Sequence, residues 1–518
     1  MPYIKVSTSA SGAWTVQLAT KHYGRSVILR HIGSAPTLAE LKRLKAVARQ
    51  ELERPALGQT DLFTTRLDLD RVRVISHKPE YLEKIIAHYY NLLGFSELGP
   101  TLLFDLVLMR IYQPCSKLRS LRLLEAQFSR NYSKDQAYRL LGKLAEDKHQ
   151  SKTILEQKLY KAHQTYYDTP LTVVLYDVTT LYFESARDGD EYKLPGYSKD
   201  GKHKDPQILV GLLTNLAGFP LAYETFAGNT FEGHTLLVAL HNWQAKFSSA
   251  KLRVIADAGM LSRVNVEQLL EAGYDFIVGA RLKSVPATLT KKLVTLDKTD
   301  GDMYEFQHNR HRLIVHYSAK RATKDLHAID KALKKARAII DGKQSLIRRS
   351  KFVISVKVTG NDKTAGESTL SLNQAAIDQD KALAGLKGYT TNLVGTPAEE
   401  IIAQYKELIH VEQSFRMSKH DLRARPIFHY KEDSIKSHLL IVVMALAIGR
   451  LLGKDSGQSI QKTVEQLGNA LSYTLEDTVT GATRVQPPRF EELDLPANLA
   501  DLLLPLERLE TRGTKSAS

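Results

Sequence analysis

Three acidic residues on well-separated segments are of the types that could carry out phosphoryl-transfer chemistry together. Asp177 closes the run LTVVLYD, Asp257 closes KLRVIAD, and Glu412 lies within YKELIHVEQSFRMSK. The first two runs are short and rich in Val, Ile and Leu, which reads as buried parallel strands. Open α/β sheets place their chemistry at the carboxyl ends of such strands. Hard divalent cations take oxygen ligands, so two strand-end aspartates and one helical glutamate supply what a two-metal site needs. For any single carboxylate, a solvated position at the edge of an element is the ordinary alternative.

The glutamate segment carries the sharper pattern. Ile401, Tyr405, Leu408, Glu412, Phe415 and Lys419 follow one another at steps of four and three, which places them on one stripe of a helix expected over Pro397–Lys419. The stripe is mostly apolar and should face the interior, where an unpaired carboxylate is costly. A metal ion, or Lys419, would explain a glutamate there.

The flanking sequence predicts the elements that position these residues. After the Asp177 strand come strands at Gln207–Thr214 and Pro220–Phe226, a helix from about Gly233, the Asp257 strand, a helix capped by Ser262, and a strand at Tyr274–Ala280. Three strands, helix, strand, helix, strand is the order of a ribonuclease-H-like α/β fold, in which the first and fourth strands are neighbours. Upstream, residues 1–36 alternate as a small β element broken by Gly12 and Gly24, and residues 37–165 turn helical, with helices expected at Tyr81–Leu93, Leu102–Tyr112, Leu118–Gln127, Asp135–Leu144 and Thr153–His163. Arg110, Lys117, Arg119, Arg122, Arg130, Lys134 and Arg139 punctuate this block, as helix-turn-helix DNA binding or an all-helical spacer would have them. The core then divides into 166–281 and 396–455 around a mostly β insertion, 282–395, before a helical region and tail, 456–518.

At these residues the chain resembles the DDE transposases of bacterial insertion sequences, in particular the group with a Tyr, Arg, Glu, Lys signature at gaps of two, three and six residues. Tyr405, Glu412 and Lys419 fall on that spacing, while Leu408 stands where the arginine belongs. Phe415-Arg416, Arg425-Pro426-Ile427 and His429 resemble the subgroup with a long insertion before the glutamate. The similarity runs through most of 171–450.

The resemblance implies the ribonuclease-H-like core and a DNA-cutting, DNA-joining activity. Water, and then the freed 3′-hydroxyl, would attack phosphodiesters at two Mg²⁺ ions (Mn²⁺ could substitute), with Asp177 bridging and Asp257 and Glu412 each completing a shell. Lys419 and Tyr405 would hold phosphates, with Arg416 and Arg425 as further backbone contacts. Members that cut through a DNA hairpin park a flipped base on a tryptophan in the insertion. Trp14 and Trp243 both lie outside 282–395, where Tyr304, Phe306 or Tyr317 could offer a stacking face. Cutting two ends in concert implies a homodimer on DNA, and a bacterial cytoplasmic, nucleoid-associated location follows.

Composition points to the same partner. The 518-residue chain has a formal charge of +15, as suits a polyanion partner. From Lys320 to Lys351, 11 Lys or Arg stand against three Asp. Within this run Lys324, Lys331 and Lys335 lie close to one helical face and are candidate DNA contacts. The single cysteine, Cys115, excludes an internal disulfide and any zinc site built on several cysteines. The N-terminus shows no signal pattern, and the apolar run Leu439–Gly449 is read as a buried helix too short to span a bilayer. The competing reading is a helical DNA-binding regulator with an inert core, which would have no need of the acidic triad together with Lys419.

Overall fold

Apolar β-branched runs build the centre of the molecule. The computed structural model describes residues 2–8, 13–22, 25–52, 72–183, 192–196, 205–247, 252–260, 263–308, 310–342, 350–357, 368–478, 481–488, 493 and 495–503. The expected cap at Ser262, the glycines 12 and 24, part of the basic run and the tail beyond Arg512 lie outside them. The chain divides into two compact units, Met1–Arg73 with Leu475–Thr483, and Val74–Thr474 with Arg484–Ser518. In the first, Tyr3–Thr8, Trp14–His22 and Arg25–Ala35 form an antiparallel meander, and the helix Leu38–Leu52 closes a small core of Val16, Leu18, Ala35, Leu41 and Ala48.

The second unit is mixed α/β, with one large mixed sheet. Besides the two-residue strand Leu194–Pro195, its strands are β1 (Val173–Tyr182), β2 (Pro206–Thr214), β3 (Pro220–Ala227), β4 (Arg253–Ala256), β5 (Asp275–Ala280), β6 (Met303–His308), β7 (His311–Tyr317) and β8 (Leu386–Thr391). They lie in the order β6-β7-β8-β5-β4-β1-β2, and β3 pairs the outer side of β2. The β1–β4 and β4–β5 pairs are parallel; the other pairs are antiparallel. β1 and β4 are thus neighbours, as their places in the chain predict.

Residues 282–395 correct the expectation of a mostly β insertion. The segment is mixed: helices Ala287–Val294, Ala319–Ile340 and Gln374–Ala382 accompany its strands. β6, β7 and β8 extend the central sheet, since β8 returns to pair with β5, and only the hairpin Val353–Lys357 with Ser368–Leu372 stands apart from it. In the helix Ala319–Ile340, Ala322, Ile329, Leu333 and Ala336 are buried, while Lys324, Lys331 and Lys335 face outward as their spacing predicts.

The block 37–165 is not helical throughout, since Val72–Lys78 is a strand, but five helices follow where periodicity places them: Glu80–Leu92, Thr101–Tyr112, Lys117–Phe128, Lys134–Ala145 and Ser151–Tyr166. Ser133 and Gln136 form a capping box that starts the fourth. Their apolar faces join the core of the sheet around the helix Glu432–Ser456. That helix is longer than the run Leu439–Gly449 suggested, because flanking Ile435 and Leu451-Leu452 continue its buried surface. Its length and composition would suffice to cross a membrane, which corrects the expectation that it is too short, but 89% of its most apolar window is buried inside the protein.

The basic residues of this block separate by burial. Arg110 and Lys117 are buried, and Arg110 donates to the carbonyls of Cys115, Leu422 and Arg423. Arg130 is clamped by Glu83 and Asp105. These three serve the core rather than a DNA surface, whereas Arg119, Arg122, Lys134 and Arg139 are exposed.

Candidate active site

β1 and β4 bring the two aspartates together. Their register pairs Tyr176 with Ala256, so Asp177 and Asp257 are the next residues along adjacent parallel strands. Asp177 does not close its strand, as expected, but sits in the middle of β1, because the β2 pairing carries the ladder on to Tyr182. It is half-buried, and its Oδ1 accepts the Val178 amide at 2.8 Å. Asp257 follows β4 directly and is exposed.

The glutamate segment is not the single helix expected. Ala398–Lys406 ends in a tight turn in which Leu408 donates to the Tyr405 carbonyl, and a second helix, Ile409–Arg416, follows. The turn shifts the helical phase. Leu408, Val411, Ser414 and Phe415 are buried and Glu412 is exposed, so the interior position expected for Glu412 is corrected. The chain then widens into a single π turn, Met417–Asp421, closed by the Leu422 amide on the Met417 carbonyl at 2.9 Å. Such turns recur at functional sites. Here the turn directs Lys419 into a cavity of about 300 Å³ lined by Asp177, Thr179, Glu232, Glu412, Arg416, Lys419 and Arg425. Arg425 also lies over the Tyr182 ring, 5.0 Å from its centroid.

Two fasteners hold the Glu412 helix on the sheet. Arg450 donates from Nε to Ser414 Oγ at 2.9 Å and from Nη2 to the His410 carbonyl at 2.6 Å. Ser414 Oγ donates to the Gly218 carbonyl at 2.6 Å. Gly218 has φ +76°, and a Cβ there would meet the His410 carbonyl at 2.7 Å, so only glycine lets the β2–β3 turn approach this closely.

Tyr405 is buried, and its hydroxyl donates to Asp257 Oδ1 at 3.1 Å. Burial, and then the Asp257 carboxylate, push its pKa up, so it stays a protonated donor. The Tyr405 hydroxyl, expected at a DNA phosphate, is hydrogen-bonded to Asp257 in this structure, a bond that restrains that carboxylate. Gly279 makes the room, since a Cβ there would meet the Tyr405 hydroxyl at 2.5 Å. Under the metal-dependent DNA cleavage that the resemblance implies, Tyr405→Phe should slow the reaction about tenfold, the lower range for losing a partner that would orient a metal ligand. Single-turnover cleavage measures it, and an unchanged rate would contradict the role.

Asp177 and Glu412 therefore share one cavity, while Asp257, bonded to Tyr405, lines another of about 610 Å³. Among the described residues no three acidic, histidine or cysteine side chains close on a single point. The donor set is nonetheless all carboxylate oxygen, which suits a hard divalent cation. Sequence reasoning missed Glu232, which lies in the short turn Glu232–His234 after β3. Its position at a strand-to-helix turn, like that of Asp257, was the available signal. It also missed Arg450 and Lys387, the latter on β8 beside Tyr405. His429 and His438 are buried behind the Arg425 loop. Burial, followed by Lys117 and Arg110, lowers the pKa of His429 to about 4, so both read as neutral structural groups.

Comparison with known proteins adds to this geometry. The model of the transposase DDE domain matches residues 168–448. No curated protein matches the chain. Among solved structures, a cryo-EM structure of a piggyBac transposase synaptic complex with hairpin DNA is similar at 11% identity over 75% of this chain and 76% of that one, with a TM-score of 0.39.

Proposed function

We propose that this chain, which belongs to the transposase DDE domain family, is an insertion-sequence transposase that cleaves its element's ends and joins them to target DNA. Transposase DDE domains use divalent metal ions; here Asp177, Asp257 and Glu412 would hold Mg²⁺. The observation that carries this reading is the cavity in which Asp177, Glu412 and Lys419 converge from a sheet strand and a distant helix and turn. The strand order β3-β2-β1-β4-β5, with β1 and β4 parallel, supports a ribonuclease-H-like core.

A bound divalent cation supplies Lewis-acid activation of a nucleophilic oxygen and neutralises charge on the leaving oxygen. The chain's own groups do the rest. Tyr405 holds the Asp257 carboxylate, and Arg450 and Ser414 hold the Glu412 helix against the sheet. Lys419, which lines the same cavity, grips a phosphate oxygen as a point charge, and Arg416 and Arg425 of that lining add backbone contacts. Two such sites acting on paired ends call for a homodimer on DNA. The test is incubation of the protein with DNA spanning the gene's flanks, with Mg²⁺ and with chelator. Metal-dependent nicks yielding 3′-hydroxyl ends are expected; metal-independent or absent cutting would overturn the reading.

The outward lysines of Ala319–Ile340 supply a second point of attachment to DNA. Replacing Lys324, Lys331 and Lys335 together with Gln should weaken binding to all duplexes alike and flatten log K against log salt by about 0.9 for each phosphate left without its lysine. An unchanged slope in a fluorescence-anisotropy titration would assign them to a merely solvated face.

A further inference from the structure

Beside the carboxylates lies a cation that the proposed mechanism leaves unused. Lys387 is half-buried on β8, with its Nζ 4.5 Å from the centroid of the Tyr405 ring and 5.5 Å from that of Tyr389. The two rings pack edge to face at 4.9 Å, forming a rigid aromatic wall. β8 is fixed on both sides by antiparallel pairing with β5 and β7, with Lys387 opposite His316 and Gly388 opposite Ala280.

The surroundings of Lys387 distinguish it from a structural cation. It lines the same cavity as Asp257, together with Arg281, Lys283, Arg321 and Lys351. Lys283 and Lys351 are held by Asp380, and Arg321 by Asp325. Lys387 has no ion pair among the described residues. Burial, and then Arg321, lower its pKa, while Asp257 and Glu412 act in the opposite direction. Lys387 thus lines a cavity that holds both Asp257 and several cations, with its own charge left unpaired by any carboxylate among the described residues. Leu408, one turn beyond Tyr405, is buried and apolar and offers no cation there.

We propose that Lys387 binds a non-bridging phosphate oxygen of the DNA strand that enters the site past Asp257, and so fixes the position of that strand for cleavage. The inference rests on the transposase reading for the identity of the strand. The aromatic wall fixes the ammonium's position, and the cations lining the cavity guide the backbone toward it. A lysine on a short, clamped strand loses less freedom on binding than one on a loop, which makes it a positional reference as well as a charge.

The test compares wild type, Lys387→Met and Lys387→Arg. Methionine keeps an unbranched apolar stem against Tyr405, and equal melting temperatures check the fold. Cleavage is measured on end duplexes in which single phosphates around the cut are replaced by neutral methylphosphonates. One replacement should slow wild type about tenfold and leave Lys387→Met, already about tenfold slower, without further loss. Lys387→Arg should retain sensitivity at the same phosphate. Identical scans in wild type and Lys387→Met would overturn the proposal. If wild type cuts no DNA, the transposase reading fails separately, and metal-free binding still decides. Wild type should then show a salt slope on labelled duplex steeper by about 0.9 than Lys387→Met, and equal slopes would overturn the phosphate contact.

Discussion

Asp177→Asn is expected to lower metal-dependent cleavage of the element ends at least about a thousandfold, the scale on which losing one preorganised electrostatic group shows. Asparagine keeps the shape and can still accept the Val178 amide, so the strand and its pairing with β4 are preserved. What is lost is the negative charge that a hard cation requires. Duplex binding without metal should be unchanged or slightly tighter, because one repulsive charge near the phosphates is gone. Quantifying cleaved ends in a gel time course, with anisotropy binding in parallel, separates the two effects. Cleavage within tenfold of wild type would remove Asp177 from the site.

Arg450→Met is the second large effect expected, and it acts through the fold. The guanidinium ties Ser414 and the His410 carbonyl to the helix Glu432–Ser456, so its loss removes the charged donor from two polar groups of the Glu412 segment. Hydrogen bonds to a charged donor are worth about 1.5–3 kcal/mol each, and methionine recovers some packing, so a net loss of about 2–4 kcal/mol is expected. Denaturant midpoints at constant m-value measure it. Cleavage should fall further than stability alone explains, because the helix bearing Glu412 loosens. Ser414→Ala, which keeps the Arg450 bond to His410, should lose less of both. An unchanged midpoint for Arg450→Met would show that the helix is held by its apolar face alone.

The parts of this site that depend on local pattern were legible in the sequence. The runs ending at Asp177 and Asp257 read as parallel strands because their burial leaves Val, Ile and Leu, and as neighbours from the order of the elements, and the register pairs them. The five upstream helices were legible from spacing alone. The face of Glu412 was not. A helical stripe assumes unbroken phase, and the turn at Glu407-Leu408 changes it without a glycine or proline to announce it. Lys387 carried no signal either, because its place beside Tyr405 depends on β8 pairing with β5 across more than a hundred intervening residues. Arg110 and Lys117 misled for the opposite reason. Each looks like a surface cation in the sequence, and only the packing of the Leu422–Arg423 carbonyls over Arg110 shows the burial.

The most direct test of the proposed metal site is an anomalous-scattering map from crystals of the protein on its end DNA, grown with Mn²⁺. The account predicts manganese in contact with the carboxylates of Asp177 and Glu412, with Asp257 within reach of the same site. Manganese elsewhere on the protein with none at Asp177 and Glu412 would contradict it.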